Sequence, residues 1–292
     1  MKRAYIEISN ACNLACSFCP SPTITGRRQW MSMELFETTL TQLEGIVEEV
    51  YLHVLGEPLL HPLLESFISA CEQHKLKVNI TTNGLLIEKC AAFLLRAHAV
   101  RQINFSIHSL FEIPAAKATE TLASILAFSK QSQEVRPDLY INLRLWNETP
   151  ERAPALHEWN ATMWKQISET LIESMMAPPP FNPREKRKRL AGRVSINMDS
   201  LFEWPANSNP DVSRERGTCQ ALKTHCAILV DGRVVACCLD YQGDLALGHV
   251  LDGGIEQALA SDRARTLRNG FNQRQLIESF CQSCTFCQRF SA

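Results

Sequence analysis

The stretch Cys12-Asn13-Leu14-Ala15-Cys16-Ser17-Phe18-Cys19 decides the reading of this chain. Its spacing, C-x3-C-x2-C, lets one loop deliver three sulfurs. Three thiolates hold a cubane iron-sulfur cluster and leave one iron unclaimed, and reactive metal sites are the ones that keep a position for substrate or cofactor. Three thiols within eight residues argue against core cysteines gathered by chance.

Composition limits what surrounds this loop. With 292 residues and 45% hydrophobic content the chain can bury a large core, as one domain or two. A formal net charge of -1 supplies no global attraction to nucleic acid or an anionic membrane. Met1-Lys2-Arg3 runs into Ile6-Glu7-Ile8-Ser9 rather than an apolar segment, so no secretory signal is expected. No run approaches the roughly 18 apolar residues of a membrane span. Twelve cysteines in such a chain point to a reducing cytoplasm with thiols reserved for metals.

Short apolar runs alternate with helical-period segments through the first two thirds, the pattern of successive βα units. Strands are predicted at 4–8, 49–55, 77–81, 102–107, 139–145 and 193–197, and helices at 33–46, 62–74, 87–97, 114–130 and 153–175. Ser32 is placed as N-cap of the first helix, and Pro62 in the first turn of the second. An eight-stranded barrel needs about 250 residues, so the expected fold is α/β, a partial (β/α)6 barrel over residues 1–205. A small cysteine-rich domain is expected over 206–292, after the Pro-, Asn- and Ser-bearing stretch 204–209. Pro178-Pro179-Pro180 and the basic run Arg184 to Arg189 interrupt the pattern before the sixth strand.

With an aromatic, Phe18, before its last cysteine, the opening run resembles the signature of the radical S-adenosylmethionine (SAM) superfamily. Gly56-Glu57-Pro58 and Thr81-Thr82-Asn83-Gly84 follow at strand ends, in family order. Strand C-termini are also where parallel βα folds place their sites. The resemblance implies a [4Fe-4S] cluster on Cys12, Cys16 and Cys19, with SAM chelating the open iron. One electron from a donor such as flavodoxin or ferredoxin then yields methionine and a 5'-deoxyadenosyl radical. It implies Glu57 for the SAM ammonium group beside Gly56 and Pro58, and Phe18 near the adenine. Ser106 is expected at the carboxylate or ribose, with His108 and Ser109 as weaker neighbours. Arg144, a charge inside an apolar strand, calls for an anionic partner, either the SAM carboxylate or an internal acid. Asn83 is read as a ribose or substrate ligand, or simply as the Asn of an Asn-Gly turn.

Seven further cysteines follow residue 218: Cys219, Cys226, Cys237, Cys238, Cys281, Cys284 and Cys287. Residues 226–237 read as a hairpin about Asp231-Gly232. The spacing C-x12-G-x4-C from Cys219 to Cys237 resembles the SPASM and Twitch auxiliary-cluster domains of radical SAM enzymes. That resemblance implies one auxiliary iron-sulfur cluster, of [4Fe-4S] type, on Cys219, Cys237, Cys281 and Cys284. Cys226, Cys238 and Cys287 are surplus thiols able to replace one of the four, and a second auxiliary cluster would need a non-cysteine ligand or an open iron. Zinc is the competing metal for such C-x2-C pairs. Cys71 and Cys90 fall in predicted helices as small core residues. Asp240 lies close to the proposed cluster, either as a base removing a substrate proton or as a solvated turn residue.

The expected function is a radical SAM oxidoreductase acting on a peptide or protein side chain, with the auxiliary cluster binding substrate or accepting an electron. A barrel beginning near residue 4 implies that any leader-binding module is another chain. The alternative is dehydrogenation of a small molecule such as a sugar or cofactor precursor. RNA modification, suggested by the basic run, and a non-enzymatic electron carrier rank below both, because the run lacks interleaved aromatics for base stacking.

Overall fold

A computed structural model describes residues 1–24, 28–147, 154–172, 185–201, 203–205 and 213–287. The chain divides into two units, Met1–Val78 with Phe202–Ala292, and Asn79–Leu201.

In the first unit β1 (Arg3–Ile6) buries Ala4 and Ile6 completely. It pairs in parallel with β2 (Glu49–Tyr51), Ala4 opposite Val50, and on its other edge with β8 (His225–Ile228), Ala4 opposite Cys226. The chain then turns back through β9 (Arg233–Val235), antiparallel to β8, and β10 (Ala246–His249). Gly232, at φ +93°, makes the predicted turn, and Asp231 accepts from the Arg233 backbone N–H at 3.2 Å. Helix α1 (Met33–Leu43) starts where Ser32 accepts from the Leu35 N–H at 3.1 Å, with Glu34 in its first turn. Its Phe36 stacks on Phe67 of α2 (Leu64–Gln73) at 4.1 Å. Gln42 binds the C-terminal segment directly, donating to Val250 O at 3.0 Å and accepting from Ile255 N–H at 2.9 Å in α6 (Gly254–Leu259). Helices α7 (Asp262–Asn272) and α8 (Ser279–Ser283) complete this unit.

The division falls inside β3 (Lys77–Thr82). In the second unit β4 (Val100–Ser106), β5 (Tyr140–Leu145) and β7 (Val194–Met198) run parallel, with α3 (Ile87–Arg96), α4 (Ala115–Val135) and α5 (Pro154–Leu171) between strands. One face carries the apolar rows Ile103–Ile141–Val194 and Phe105–Leu143–Ile196, and Phe105 meets Phe128 of α4 edge-on. The opposite face carries the rows Asn104–Asn142–Ser195 and Ser106–Arg144–Asn197. Arg136, buried at the end of α4, donates to the carbonyls of Ala97 and Val100 at 3.0 and 3.2 Å and pairs with Asp138 at 2.9 Å. Its guanidinium holds the Asp138 carboxyl down at about 2.

All six predicted strands and the helices between them are present, shifted by a few residues at their ends. The strand expected at 49–55 ends at Tyr51, because the chain then turns inward to Leu55 and Gly56. The helix expected at 153–175 is α5, and its predicted end, Pro178-Pro179-Pro180 and Arg184 lie outside the described residues. The basic run is partly a strand that the sequence reading passes over: β6 (Arg187–Ala191) pairs antiparallel with β7. Lys186, just before it, bonds Asp199 at 3.0 Å, and the Lys188 ammonium lies 5.9 Å from the Trp164 ring centre. Because β8 adds to β1, the cysteine-rich segment shares a unit with the first 78 residues.

Two fastenings hold the strand ends of this unit together. The Glu7 carboxylate, 3% exposed, accepts from Leu55 N–H at 3.2 Å and from Val230 N–H at 3.1 Å, so it ties the chain after β1 to the ends of β2 and β8. Burial outweighs these bonds and raises its pKa from 4.5 to about 7. Gly56 is the second fastening. At φ +75° it lies so close to the cysteine loop that a Cβ would sit 2.2 Å from Ser9 O and 2.9 Å from Ala11 O.

The folded state holds the Glu7 proton more tightly than the unfolded chain, so its contribution is complete below about pH 4.5 and is lost as pH rises through about 7. The stability difference between wild type and Glu7→Gln, measured by anaerobic thermal unfolding, is therefore expected to shrink by up to about 3 kcal/mol across that window; a difference independent of pH would contradict it. Gly56→Ala is expected to displace the cysteine loop at a cost of about 2 kcal/mol or more and to lower iron uptake on reconstitution. Normal iron uptake would show that the close approach is dispensable.

Candidate metal and cofactor sites

The first site is built on the loop after β1. Ser9 organises its entry, its hydroxyl accepting from Ala11 N–H at 2.9 Å and donating to Gln29 O at 3.0 Å. Arg28 straps the loop from outside through Asn10 O at 3.1 Å and Ser21 O at 3.0 Å. Within it, Leu14 N–H points at the Cys12 sulfur at 3.4 Å, and Cys19 N–H closes a turn on Cys16 O at 3.0 Å. Cys16 is buried, while Cys12, Cys19 and Phe18 are half-buried. Burial pushes the Cys12 thiol up, with the Glu57 charge adding to the effect, so the first cysteine and the Gly56-Glu57-Pro58 turn are electrostatic neighbours.

That turn is tied to the loop through Glu57 N–H, which donates to Ala11 O at 2.8 Å. Pro58 opens a short helical turn, and Glu57 caps it by accepting from Leu59 N–H at 2.9 Å. Three thiols on one loop beside a buried carboxylate fit the chemistry of a three-cysteine iron-sulfur cluster whose open iron faces an ammonium-bearing ligand.

In the second unit, Ser106, Arg144 and Asn197 share one row of the polar face. The Arg144 guanidinium lies 4.8 Å from the centre of the Trp146 ring, whose Nε1–H donates to Asn197 Oδ1 at 2.7 Å. His108 stacks on the same ring at 6.0 Å, its Nδ1 3.1 Å from Arg144 O. Burial lowers the His108 pKa to about 4, so the ring is neutral near pH 7. Ser109 donates to Ser106 O at 2.7 Å. Asn83 accepts from Leu85 N–H at 3.0 Å, and Gly84 follows at φ +83°, so the Asn-Gly pair makes a turn. The Asn142 Oδ1 atom is buried and has no hydrogen-bond partner among the described residues.

The third site gathers the C-terminal cysteines. Ala221 N–H points at Cys219 Sγ at 3.5 Å and Leu239 N–H at Cys237 Sγ at 3.4 Å, the local geometry seen at Cys12. Burial, with the charges of Cys284 and Cys238 nearby, pushes Cys219 up to about 11, and Cys281 is raised by burial with Cys219 and Cys284 as neighbours. A hydrogen bond from Cys287 lowers Cys284 to about 7. Crowded buried thiols resist ionisation unless a cation joins them, which is the setting of a metal site. Cys226 is fully buried opposite Ala4 in the β1–β8 ladder, with its thiol pushed up to about 12. Cys71 and Cys90 are buried in α2 and α3.

Asp240 is neither solvated nor idle. It is 0% exposed, and its two oxygens accept from Gly243, Asp244 and Leu245 N–H at 3.0, 2.8 and 2.7 Å. Those bonds close the turn that leads from the cysteine pair into β10. Sequence reasoning passes over two residues of this unit, Glu7 and His225. The signal for Glu7 is a lone acid between Ile6 and Ile8, and for His225 its place directly before Cys226 at the start of the hairpin.

The cysteine sites share an apolar neighbour. Val54, Leu55, Ala227, Leu229 and Val235 form a buried cluster, and Cys19 and Cys238 both pack against it, with Tyr5, Trp204 and Tyr241.

Comparison with known proteins agrees with this construction. The Radical SAM superfamily matches residues 6–136, and SPASM, an iron-sulfur cluster-binding domain, matches residues 219–285. Among curated relatives, the tungsten-containing aldehyde ferredoxin oxidoreductase cofactor-modifying protein of Pyrococcus furiosus is 29% identical over 129 residues, 44% of this chain and 35% of that protein. The alignments span about a third of the length of the curated relatives. Among solved structures, BtrN in complex with AdoMet and 2-DOIA is similar with a TM-score of 0.60 and 15% identity, over 97% of this chain and 92% of that one. SuiB of Streptococcus suis bound to precursor peptide SuiA is similar with a TM-score of 0.55 and 18% identity, over 98% and 70%. These structural likenesses concern the fold. Three cysteines on the loop after β1, a cysteine-rich segment joined to the same sheet, and both domain matches place this chain in the radical SAM superfamily as an enzyme with a C-terminal iron-sulfur cluster-binding domain.

Proposed function

We propose that this enzyme is an oxidoreductase that removes a hydrogen atom from a side chain of a peptide or protein and passes the remaining electron to an auxiliary cluster. The observation that carries the reading is that Cys19, of the SAM-cluster loop, and Cys238, of the C-terminal group, border one buried apolar cluster within one unit. With a cluster bound at each cysteine group, one apolar layer would lie against both and exclude water there.

When bound, the two clusters supply one-electron chemistry, the first giving an electron to SAM and the second taking one away. The balance is then closed. SAM, one electron and the substrate C–H yield methionine, 5'-deoxyadenosine and a substrate radical, which loses one electron and one proton to become the oxidised product. A cytoplasmic flavodoxin or ferredoxin fits the part of electron donor.

The chain's own residues do the rest. Cys12, Cys16 and Cys19 hold the first cluster, with the Leu14 N–H supporting the Cys12 thiolate. Cys219, Cys237, Cys281 and Cys284 hold the second. Glu57 receives the SAM ammonium group, Gly56 and Pro58 shape the turn that presents it, and Phe18 lies against the adenine. Arg144, with its guanidinium on the Trp146 face, takes the SAM carboxylate, with Ser106 beside it. Asn83 serves SAM or substrate from its turn. Asp240, closed in by three N–H donors, organises the cluster loop, and its carboxylate is too enclosed for the expected role of base.

A second reading, oxidation of a small polar molecule, has support in the similarity to BtrN with 2-DOIA over nearly the whole of both chains. The amide row Asn104–Asn142 suits either substrate class, since both present hydrogen-bonding groups.

Reduced, reconstituted enzyme with SAM is expected to release 5'-deoxyadenosine, and Cys16→Ala to release none above background. Arg144→Ala is expected to weaken SAM binding by about 10- to 100-fold. With deuterated candidates, label should enter 5'-deoxyadenosine from a peptide; label arriving only from small polyols would reverse the substrate assignment, and absence of 5'-deoxyadenosine would contradict the reaction.

A further inference from the structure

The C-terminal site holds more donors than one cubane cluster uses. Cys219, Cys237, Cys238, Cys281, Cys284 and Cys287 lie within electrostatic reach of one another in overlapping pairs, whereas a cluster takes four. A nitrogen donor stands beside two of them. One ring nitrogen of His225 and the sulfurs of Cys237 and Cys238 all lie within 4.8 Å of one another. With bonds of about 2.0–2.3 Å in a tetrahedral site, donors sharing one ion stand about 3.5–4 Å apart. The three atoms lie near enough to be drawn onto one ion, and in its absence His225 and Cys237 each hydrogen-bond Cys238.

The histidine is held as a ligand would be. The Thr224 hydroxyl lies 3.1 Å from Nδ1, and ligating histidines are usually oriented by a hydrogen bond to the nitrogen that does not bind metal. The edge of Tyr5 fixes the ring at 5.5 Å and 74°, and the ladder sets His225 opposite Arg3 of β1. Its backbone is therefore as rigid as the central sheet. Cys237 is prepared from the other side by the Leu239 N–H at 3.4 Å.

We propose that His225 is a metal ligand of the C-terminal site, acting through Nε2 beside Cys237 and Cys238, so that this site has a mixed nitrogen and sulfur donor set. A single zinc ion would take all three donors, whereas in a cubane each iron takes one, so there His225 would stand in place of one of the four cysteines. The inference rests on metal binding by the SPASM segment and not on the radical reaction, so it survives if the substrate reading fails.

The test uses the full chain with Cys12, Cys16 and Cys19 changed to Ala, leaving the C-terminal site alone. The protein is labelled with 15N-histidine, reconstituted anaerobically, and analysed for iron and zinc. For iron, pulsed EPR of the reduced centre is expected to show a nitrogen coupling that changes with the histidine label. For zinc, X-ray absorption is expected to show a nitrogen ligand beside sulfur. His225→Ala is expected to lose that nitrogen and at least about 10-fold in metal affinity. His225→Cys is expected to restore metal binding and, for iron, to lower the midpoint potential, because an anionic thiolate replaces a neutral imidazole. Cys226→Ser, whose thiol lies opposite Ala4, is expected to leave the metal signature unchanged. A centre with no histidine-sensitive nitrogen, and with the same metal content and spectrum in His225→Ala, would overturn the proposal.

Discussion

One buried acid links the chain leading into the N-terminal cysteine loop to the turn at Gly56 and to the hairpin of the C-terminal cysteines. Glu7 leaves β1 two residues before the cysteine loop begins to form, and its oxygens reach the backbone at Leu55 and at Val230. The first bond fixes the residue next to Gly56-Glu57-Pro58, and the second fixes the hairpin that carries Cys226 and Cys237. A carboxylate can make both connections because it accepts at two oxygens, whereas the backbone ends of three parallel strands offer only donors and acceptors aimed along the sheet. Burial makes this acid harder to ionise than an exposed carboxyl and raises its pKa to about 7.

The contacts around the junction are of two kinds, and they divide the labour. Close backbone approach sets position: Gly56 against Ser9 and Ala11, and Glu57 N–H on Ala11 O. N–H donors aimed at Cys12, Cys219 and Cys237 favour thiolates where burial otherwise opposes them. The same principle governs Asp240, whose three N–H partners keep a buried acid in place. Polar residues of the second unit work differently, since Arg144 rests on an aromatic face and Asn104 bonds sideways to Asn142 and to Ile80 O.

Much of this is legible in the sequence, and the reasons differ from residue to residue. The βα order follows from apolar periodicity, because short apolar runs alternate with segments of helical period, and turns such as Asn83-Gly84 mark some of the ends. Ser32 is readable as a cap because capping is local. The cysteine loop is readable because metal chemistry demands closely spaced ligands. What stays hidden depends on distant pairing. Nothing near His225 in the chain says that β8 adds to β1, so neither the shared unit nor the histidine beside Cys238 is visible in advance. The β6 strand hides for another reason: five residues of mostly basic character look like a solvated face until β7 supplies the ladder. Asp240 misleads in the same way, because proximity in sequence to a cysteine does not disclose that its oxygens are already engaged.

The central claim is that two separate metal centres occupy one unit, the first held by the loop after β1 and the second by the segment that β8 adds to the same sheet. Mössbauer spectroscopy and iron counting on the full chain with Cys12, Cys16 and Cys19 replaced by Ala test it most directly. The account predicts that about four irons per chain remain, as one cluster held by the C-terminal site. A variant that retains no iron-sulfur cluster would contradict it.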